Sequence, residues 1–437
     1  MRHNARCPTY AERALAARHP RLFGAVSLSL LACAIIAAIV LSGALDLYLK
    51  WRQAACVAAN RAAVPSDFKA VVTIEEHQQA ADYTLANIRL GAIQTAFDAI
   101  MAVLWLTALL APLAALIAGI LPPGLSRSVA LLVAIGAVGA VLGLPFSIAR
   151  TFWLEAKFGF NRVTPGVFAL DRIKGLALQL VFAVPLLYGL FWLLAAMPRF
   201  WWLAGWAASV LITIGLSVAY PTWIAPLFNQ FKPLPDGPIK TRIEALLARC
   251  GFESKGLFVM DASRRSSHGN AYFSGFGKAK RIVFFDTLLE KHTDDEILSI
   301  LAHELGHFKL GHIGQRLAQS AAVTFVIFLV LHWAFSAGGL ASQFGLPNDP
   351  GVVLIIVLTA MGPILHLAAP LTNWLSRRAE FQADDFARTM VGKDAMISAL
   401  TRLSRDNLAT LTPDRLYALF YYSHPPAPLR VAQLRAA

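Results

Sequence analysis

Thr293-Asp294-Asp295-Glu296-Ile297-Leu298-Ser299-Ile300-Leu301-Ala302-His303-Glu304-Leu305-Gly306-His307 is the stretch from which the rest of the chain is read. Thr293 and Glu296 form a T-x-x-E capping box ahead of the apolar positions Ile297, Leu298, Ile300 and Leu301, which starts a helix at Thr293. About three turns in lies H-E-x-x-H. Histidines four residues apart sit about 40° apart on one helix face, close enough to share a tetrahedral metal, and the pattern is that of a zinc site. Glu304, one position past the first histidine, is placed to act on a metal-activated water. With 11 His in 437 residues, such a pattern arises by accident in roughly one chain in a hundred, so its context has to carry the argument.

Hydrophobic residues make up 57% of the chain and charged residues 15%, against roughly 45–50% and about 25% in a soluble domain. This is a membrane protein's balance. Seven segments are long and apolar enough to cross about 30 Å of hydrocarbon: 24–47, 98–120, 127–148, 174–197, 199–219, 321–342 and 351–370. Only Pro198 and Arg199 mark the junction of the fourth and fifth, which are expected to form a tight hairpin. Arg2, Arg6, Arg13, Arg18 and Arg21 precede the first segment as in a signal peptide. Its apolar run is too long for one, however, and Leu47-Tyr48-Leu49-Lys50 offers no small-residue cleavage site, so an uncleaved anchor is expected.

Seven crossings place 48–97, 149–173, 220–320 and the tail beyond 371 on one side. That side carries nearly all the basic residues, among them Lys157, Arg162, Arg264, Arg265, Lys278, Lys280, Arg281, Arg377 and Arg378, and is expected to face the cytoplasm. The N-terminal arginines fall on the other side and disagree. Alanine richness and a preference for Arg over Lys point to a bacterial inner membrane, or to the endoplasmic reticulum if the chain is eukaryotic. The net charge of +13 suits anionic lipid headgroups as partners. No basic stripe with interleaved aromatics indicates nucleic acid. Cys7, Cys33, Cys56 and Cys250 have no ligand spacing and are expected to be free thiols.

The longest region without a span, 220–320, opens with Pro221, Pro226, Pro233, Pro235 and Pro238, which exclude a continuous helix there. A helix is expected from Ile239 to Cys250, stopped by Gly251. Gly256 to Met260 and Arg281 to Phe285 read as strands, with Asn270 to Phe273 as a third candidate. The fold class expected is an all-α polytopic membrane protein of about seven helices with a small α+β metalloprotease domain.

A catalytic zinc takes three protein ligands and leaves one position for water. His312, nine residues past His303, falls about 180° around a continued helix and misses by one position the longer three-histidine signature; it reads as a helix-surface or interfacial histidine. Beyond the last span, Glu380 and Asp384 lie four apart on a helix with Ala383 and Ala387 beside them. Small neighbours permit close helix approach, so Glu380 can supply a carboxylate oxygen while Asp384 accepts the free ring N–H of a ligating histidine. The competing reading is an exposed amphipathic helix with Arg378 and Glu380 solvated. Two spans between His303 and Glu380 return the chain to the side it left.

Taken with these, further segments resemble the type I CAAX prenyl endopeptidases, membrane-embedded zinc metalloproteases. Ser266-Ser267-His268-Gly269-Asn270-Ala271-Tyr272-Phe273, Arg281 to Leu288, HELGH, Arg377 to Asp384 and Ser423-His424-Pro425-Pro426 occur in that family's order. Glu155 to Asn161 and Tyr220 to Phe228 also match, so the resemblance covers about 150 to 430. It implies seven helices enclosing a water-filled chamber, one Zn2+ per chain held by His303, His307 and Glu380, Glu304 as base and Asp384 as the partner of a ligand histidine. By the same resemblance Asn270 and Ala271 lie on a substrate-binding edge strand, and His424 and Arg430 lie near the active site.

The function expected is hydrolysis of peptide or protein substrates near their C-termini, with prenylated CAAX-type substrates implied by the resemblance. A broader membrane-peptide protease that needs no prenyl group is the alternative. A transporter with a vestigial metal site is more distant, because a structural site is closed by four ligands and needs no glutamate base. The expected division is 1–219 as an N-terminal membrane region with five spans, 220–320 as the catalytic region, 321–370 as two further spans and 371–437 as a C-terminal catalytic region.

Overall fold

The computed structural model describes residues 28–252, 256–274 and 281–436. The basic run from Arg2 to Arg21, Cys7, Lys278 and Lys280 lie outside the described residues. Helix α1 (Leu30–Ala59) is followed by α2 (Ile74–Leu104), which continues through a π-helical turn (Trp105–Leu109) into α3 (Leu110–Ile120). Then come α4 (Leu125–Ile148), extended by a second π-helical turn (Ala149–Glu155), α5 (Pro165–Ala196) and α6 (Trp201–Ala219). The α5–α6 junction is the expected hairpin, closed by the Trp201 N–H donating to the Met197 carbonyl at 2.8 Å.

One difference from the sequence reading is the stretch 48–97, expected as a loop. It is mostly helix: α1 runs on to Ala59 and α2 starts at Ile74 behind its own capping box, Thr73 with Glu76. Hydropathy marks only the part of a helix that meets lipid, and the polar first half of α2 lies beyond it.

After two short proline-bearing turns the chain forms a four-stranded sheet with β1 (Phe231–Pro233), β2 (Leu257–Met260), β3 (Ala271–Ser274) and β4 (Arg281–Phe285), in the order β1-β2-β4-β3. β2 and β4 are parallel, and the two outer strands pair antiparallel. β1 was not legible in the sequence: it is three residues long and contains Pro233, which only an edge strand tolerates. Helix α7 (Pro238–Arg249) ends where Gly251 takes φ +62°. Helix α8 (Asp286–Lys291) leads to α9 (Asp294–Lys309), the H-E-x-x-H helix. Ile243, Phe284, Leu301, Leu305, Ala387 and Leu400 share the core beneath it.

The chain re-enters the apolar region as α10 (His312–Ala337) and returns as α11 (Pro350–Val391), followed by α12 (Lys393–Asp406), α13 (Arg415–Tyr421) and α14 (Ala427–Ala436). The last predicted span and the helix carrying Glu380 are one continuous α11. Among the described residues seven helices are long and apolar enough to cross a membrane.

These helices bury little of themselves. In the most apolar window of Pro165–Ala196, and again of Trp201–Leu227, 6% of residues are buried, against 44% in Pro350–Val391. A solid bundle would bury one face of every helix, so helices this bare wall a chamber. Their shared apolar core lies at one end. The apolar plug there takes its residues from the starts of α4, α6 and α11 and from the ends of α3, α5 and α10: Val129, Trp201, Val352, Ile117, Phe191 and Leu331. Toward the sheet the interior opens into a cavity of about 790 Å³, with Gln53, Asn87, Gln94, Asn407, Tyr421 and His424 on its wall.

Candidate active site

α9 is started as its sequence dictates. Thr293 N–H donates to Glu296 Oε2 at 2.9 Å and Glu296 N–H to Thr293 Oγ1 at 3.4 Å. Glu296 is buried, accepts from Ser398 Oγ at 2.6 Å and lies 3.2 Å from Arg402 Nε. The helix then crosses α11 at Gly306. A Cβ at that position would lie 3.1 Å from Ala383 Cα and 3.2 Å from Ala383 O. Ala383 and Ala387 are fully buried. Small residues on both helices thus bring His303 and His307 against Glu380 and Asp384.

Hydrogen bonds on the far side of each ring fix its tautomer. Asp384 Oδ1 lies 2.8 Å from His303 Nδ1, so that nitrogen carries the hydrogen and Nε2 keeps a lone pair. His312 Nε2 lies 3.0 Å from Gln382 Oε1, an acceptor, so His312 donates there and its Nδ1 accepts. The partner of that Nδ1, at 2.9 Å, is His307 Nδ1, which must donate. His307 Nε2 therefore also keeps a lone pair.

Both lone pairs meet one carboxylate. His303 Nε2 lies 3.3 Å from Glu380 Oε2, and His307 Nε2 lies 3.2 Å from Glu380 Oε1. Glu380 is fully buried, and its Oε2 has no hydrogen-bond partner. Acceptors facing acceptors in a buried site repel unless a cation lies between them. The three residues offer ligand atoms within 4.8 Å of one another, so they fit a metal ion. Burial opposes charge on the His303 ring, yet the carboxylates of Asp384 and Glu380 beside it raise it to about 9, the same demand for positive charge.

Of the remaining predicted residues, Arg430 and His424 reach this carboxylate pair. Glu304 has no hydrogen-bond or ion-pair partner among the described residues, and burial pushes its carboxyl above the usual carboxylate range. Arg430 Nε donates to Asp384 Oδ2 at 2.7 Å, while its Nη2 also reaches Asp384. His424 Nε2 lies 3.3 Å from Glu380 Oε1 and its Nδ1 lies 3.0 Å from Ser423 Oγ. The segment bearing His424 is tied to α11 by Arg377, whose Nη1 donates to the Tyr422 carbonyl at 2.7 Å. Ala271 opens β3, an outer strand of the sheet in contact with α9, and Asn270 precedes it.

Two residues escaped the sequence reading in their true places. His312 is not a surface histidine: α9 ends, Gly311 takes φ +73°, and the redirected chain buries His312 behind His307. The projection of 180° assumed a helix that does not continue. Arg316, on α10, lies 3.3 Å from Glu380 Oε1 and had no sequence signal.

Residues 53–230 match the model of the CAAX prenyl protease N-terminal region with five membrane helices, and residues 233–437 match that of peptidase family M48. The chain is 38% identical to a CAAX prenyl protease 1 homolog of Oryza sativa subsp. japonica over 68% of its own length and 70% of that protein. It is 33% identical to the Homo sapiens CAAX prenyl protease 1 homolog over 68% and 71%. The crystal structure of S. mikatae Ste24p superposes with a TM-score of 0.85 at 28% identity, covering 92% of this chain and 97% of that one.

Proposed function

The chain belongs to peptidase family M48, and from that premise we propose that this membrane metalloprotease is a zinc endopeptidase cutting near the C-termini of CAAX-type substrates. The observation that carries the reading is the convergence of two imidazole lone pairs and a buried carboxylate on one point. His303, His307 and Glu380 would hold one Zn2+, a donor set of the kind catalytic zinc uses. Zinc bound there supplies Lewis acidity, lowering the pKa of a water toward about 7 and polarising the scissile carbonyl.

The chain's own residues do the rest. Glu304 takes the proton of the attacking water and returns it to the leaving amine. His424 donates a hydrogen bond to the developing oxyanion. Asp384, held by Arg430, keeps the tautomer of His303. Asn270 and Ala271 hold the substrate extended along β3. In this reading 1–219 and 321–370 are the membrane regions and 220–320 and 371–437 the catalytic ones, with the site toward the cytoplasm as the basic residues on that side favour. Prenylated peptides are the first substrate class. Unprenylated membrane peptides are a second, since hydroxyls and amides on the chamber wall can hydrogen-bond a main chain.

The test compares metal content and peptide cleavage in wild type, Glu304→Gln and Glu380→Ala. Glu304→Gln is expected to keep one zinc and lose cleavage, and Glu380→Ala to lose both. Cleavage by Glu304→Gln at the wild-type rate would sink the mechanism.

A further inference from the structure

The structure places on the chamber wall an arginine most of whose donors are unused. Arg150 lies on the π-helical turn after α4, a feature often found at functional sites. Its Nη1 donates to Asn87 Oδ1 at 3.2 Å, and among the described residues it joins no ion pair. The other cations on this wall are committed. Lys50 lies 2.6 and 2.7 Å from the two oxygens of Asp46, and Arg430 is bound to Asp384. Asp98, a carboxylate on the same wall, interacts with Lys50. Glu155, the carboxylate that interacts with Arg150, is itself engaged by Tyr83 and His268, so the guanidinium keeps donors for a ligand. A guanidinium has five N–H donors and takes a carboxylate in a bidentate grip.

The strand geometry leads a substrate's end toward this cation. β3 is an outer strand, and a peptide added to it pairs best antiparallel. Residues beyond the scissile bond then run back toward the start of β3. Two residues before Asn270, His268 stacks on Phe160 with ring centroids 3.9 Å apart, and its Nδ1 lies 2.9 Å from Asn407 Oδ1. Its Nε2 lies 3.5 Å from Glu155 Oε2. Glu155 ends the turn that carries Arg150, and its other oxygen accepts from Tyr83, one helical turn before Asn87. The start of β3 is thereby fixed to the stretch of wall that presents Arg150.

We infer that Arg150, oriented by Asn87, binds the free C-terminal carboxylate of the substrate and so sets how far from its end a peptide is cut. The inference rests on the endopeptidase reading and assigns that site its recognition of a chain terminus.

Three forms of one peptide test it on the full chain in lipid vesicles: free C-terminal acid, C-terminal amide, and the acid lengthened at its C-terminus. Wild type is expected to cut the acid with a kcat/KM about 10- to 100-fold above the amide, and the cut is expected to move with the terminus in the longer peptide. Arg150→Gln should bring the acid-to-amide ratio to within about threefold of one, and Arg150→Lys should keep part of it. Equal cutting of acid and amide by wild type, a cut that stays put in the longer peptide, or an unchanged ratio in Arg150→Gln each overturns the inference alone. The wild-type arms decide even if the variants do not fold. Failure of wild type to cut any of the three overturns the endopeptidase reading and this inference with it.

Discussion

The two ends of α11 belong to regions built on opposite principles. Its first turns, Gly351 to Val357, are buried in the apolar plug, where neighbouring helices meet with no ion pair among the described residues and Asp349 accepts from Ser128 and the Gly351 N–H. Its last third carries Glu380 and Asp384 into a site where polar atoms of His303 and His307 lie 2.8–3.3 Å from their carboxylates. Between them lies a chamber whose walls pack against little. The contrast separates two requirements: ligand geometry must be held to fractions of an ångström, whereas a container for extended peptides need only stay open and hydrated. Substitutions are therefore expected to be unforgiving at the α9–α11 crossing and milder elsewhere.

The harshest break of that contrast is Gly306→Val. The atoms a side chain would meet there include Ala383 Cα and O, backbone of α11 that cannot rotate aside, and Phe386 Cβ. The two helices have to separate, and with them the two halves of the ligand set. Cleavage is expected to be undetectable, with metal content down tenfold or more and a stability loss of about 1–3 kcal/mol. Metal analysis beside the peptide assay checks it. Wild-type metal content would mean that the crossing is looser than its contacts.

Next in size is His312→Phe, which keeps the ring volume and removes the partner that fixes His307. With no acceptor at Nδ1, the His307 hydrogen is free to occupy Nε2, the ligand position. Metal affinity is expected to fall about 10- to 100-fold, read by competition with a chelator, while the thermal midpoint changes little. An unchanged affinity would show that His307 needs no such partner.

What the sequence disclosed divides along the same line. The start of α9, the pairing of H-E-x-x-H with Glu380, and the small residues at the crossing were legible because each is a short-range pattern on a helix. Where the chain turns, the pattern failed. A single left-handed residue, Gly311, carried His312 from a supposed surface into the site. Three-residue β1 was too short for any periodicity. The extension of α2 from the membrane was hidden because its residues are polar. The network of Asp46, Lys50, Thr95, Tyr421 and His366, which joins α1, α2, α11 and α13, rests on contacts between distant segments and had no sequence signal.

The contrast is sharpened most gently by acid. The catalytic end is tied by ionised groups and the plug by apolar contacts, so lowering the pH should loosen only the first. Burial pushes His292 below the usual imidazole range, and neither ring nitrogen has a hydrogen-bond partner. Burial alone would raise Glu296, but Ser398, the Thr293 N–H and Arg402 hold it below the usual carboxylate range. Both groups bind protons more readily in the unfolded chain. The stability each contributes is therefore present above its unfolded pKa, about 6.5 for the imidazole and about 4.3 for the carboxyl, and is lost as pH falls below it. Hydrogen exchange should report two steps at α9 and α12, together about 1–3 kcal/mol, and none at the first turns of α11. His292→Phe should remove the upper step and Glu296→Gln the lower. Equal loosening of the plug would mean that the two ends of α11 are not held by different forces.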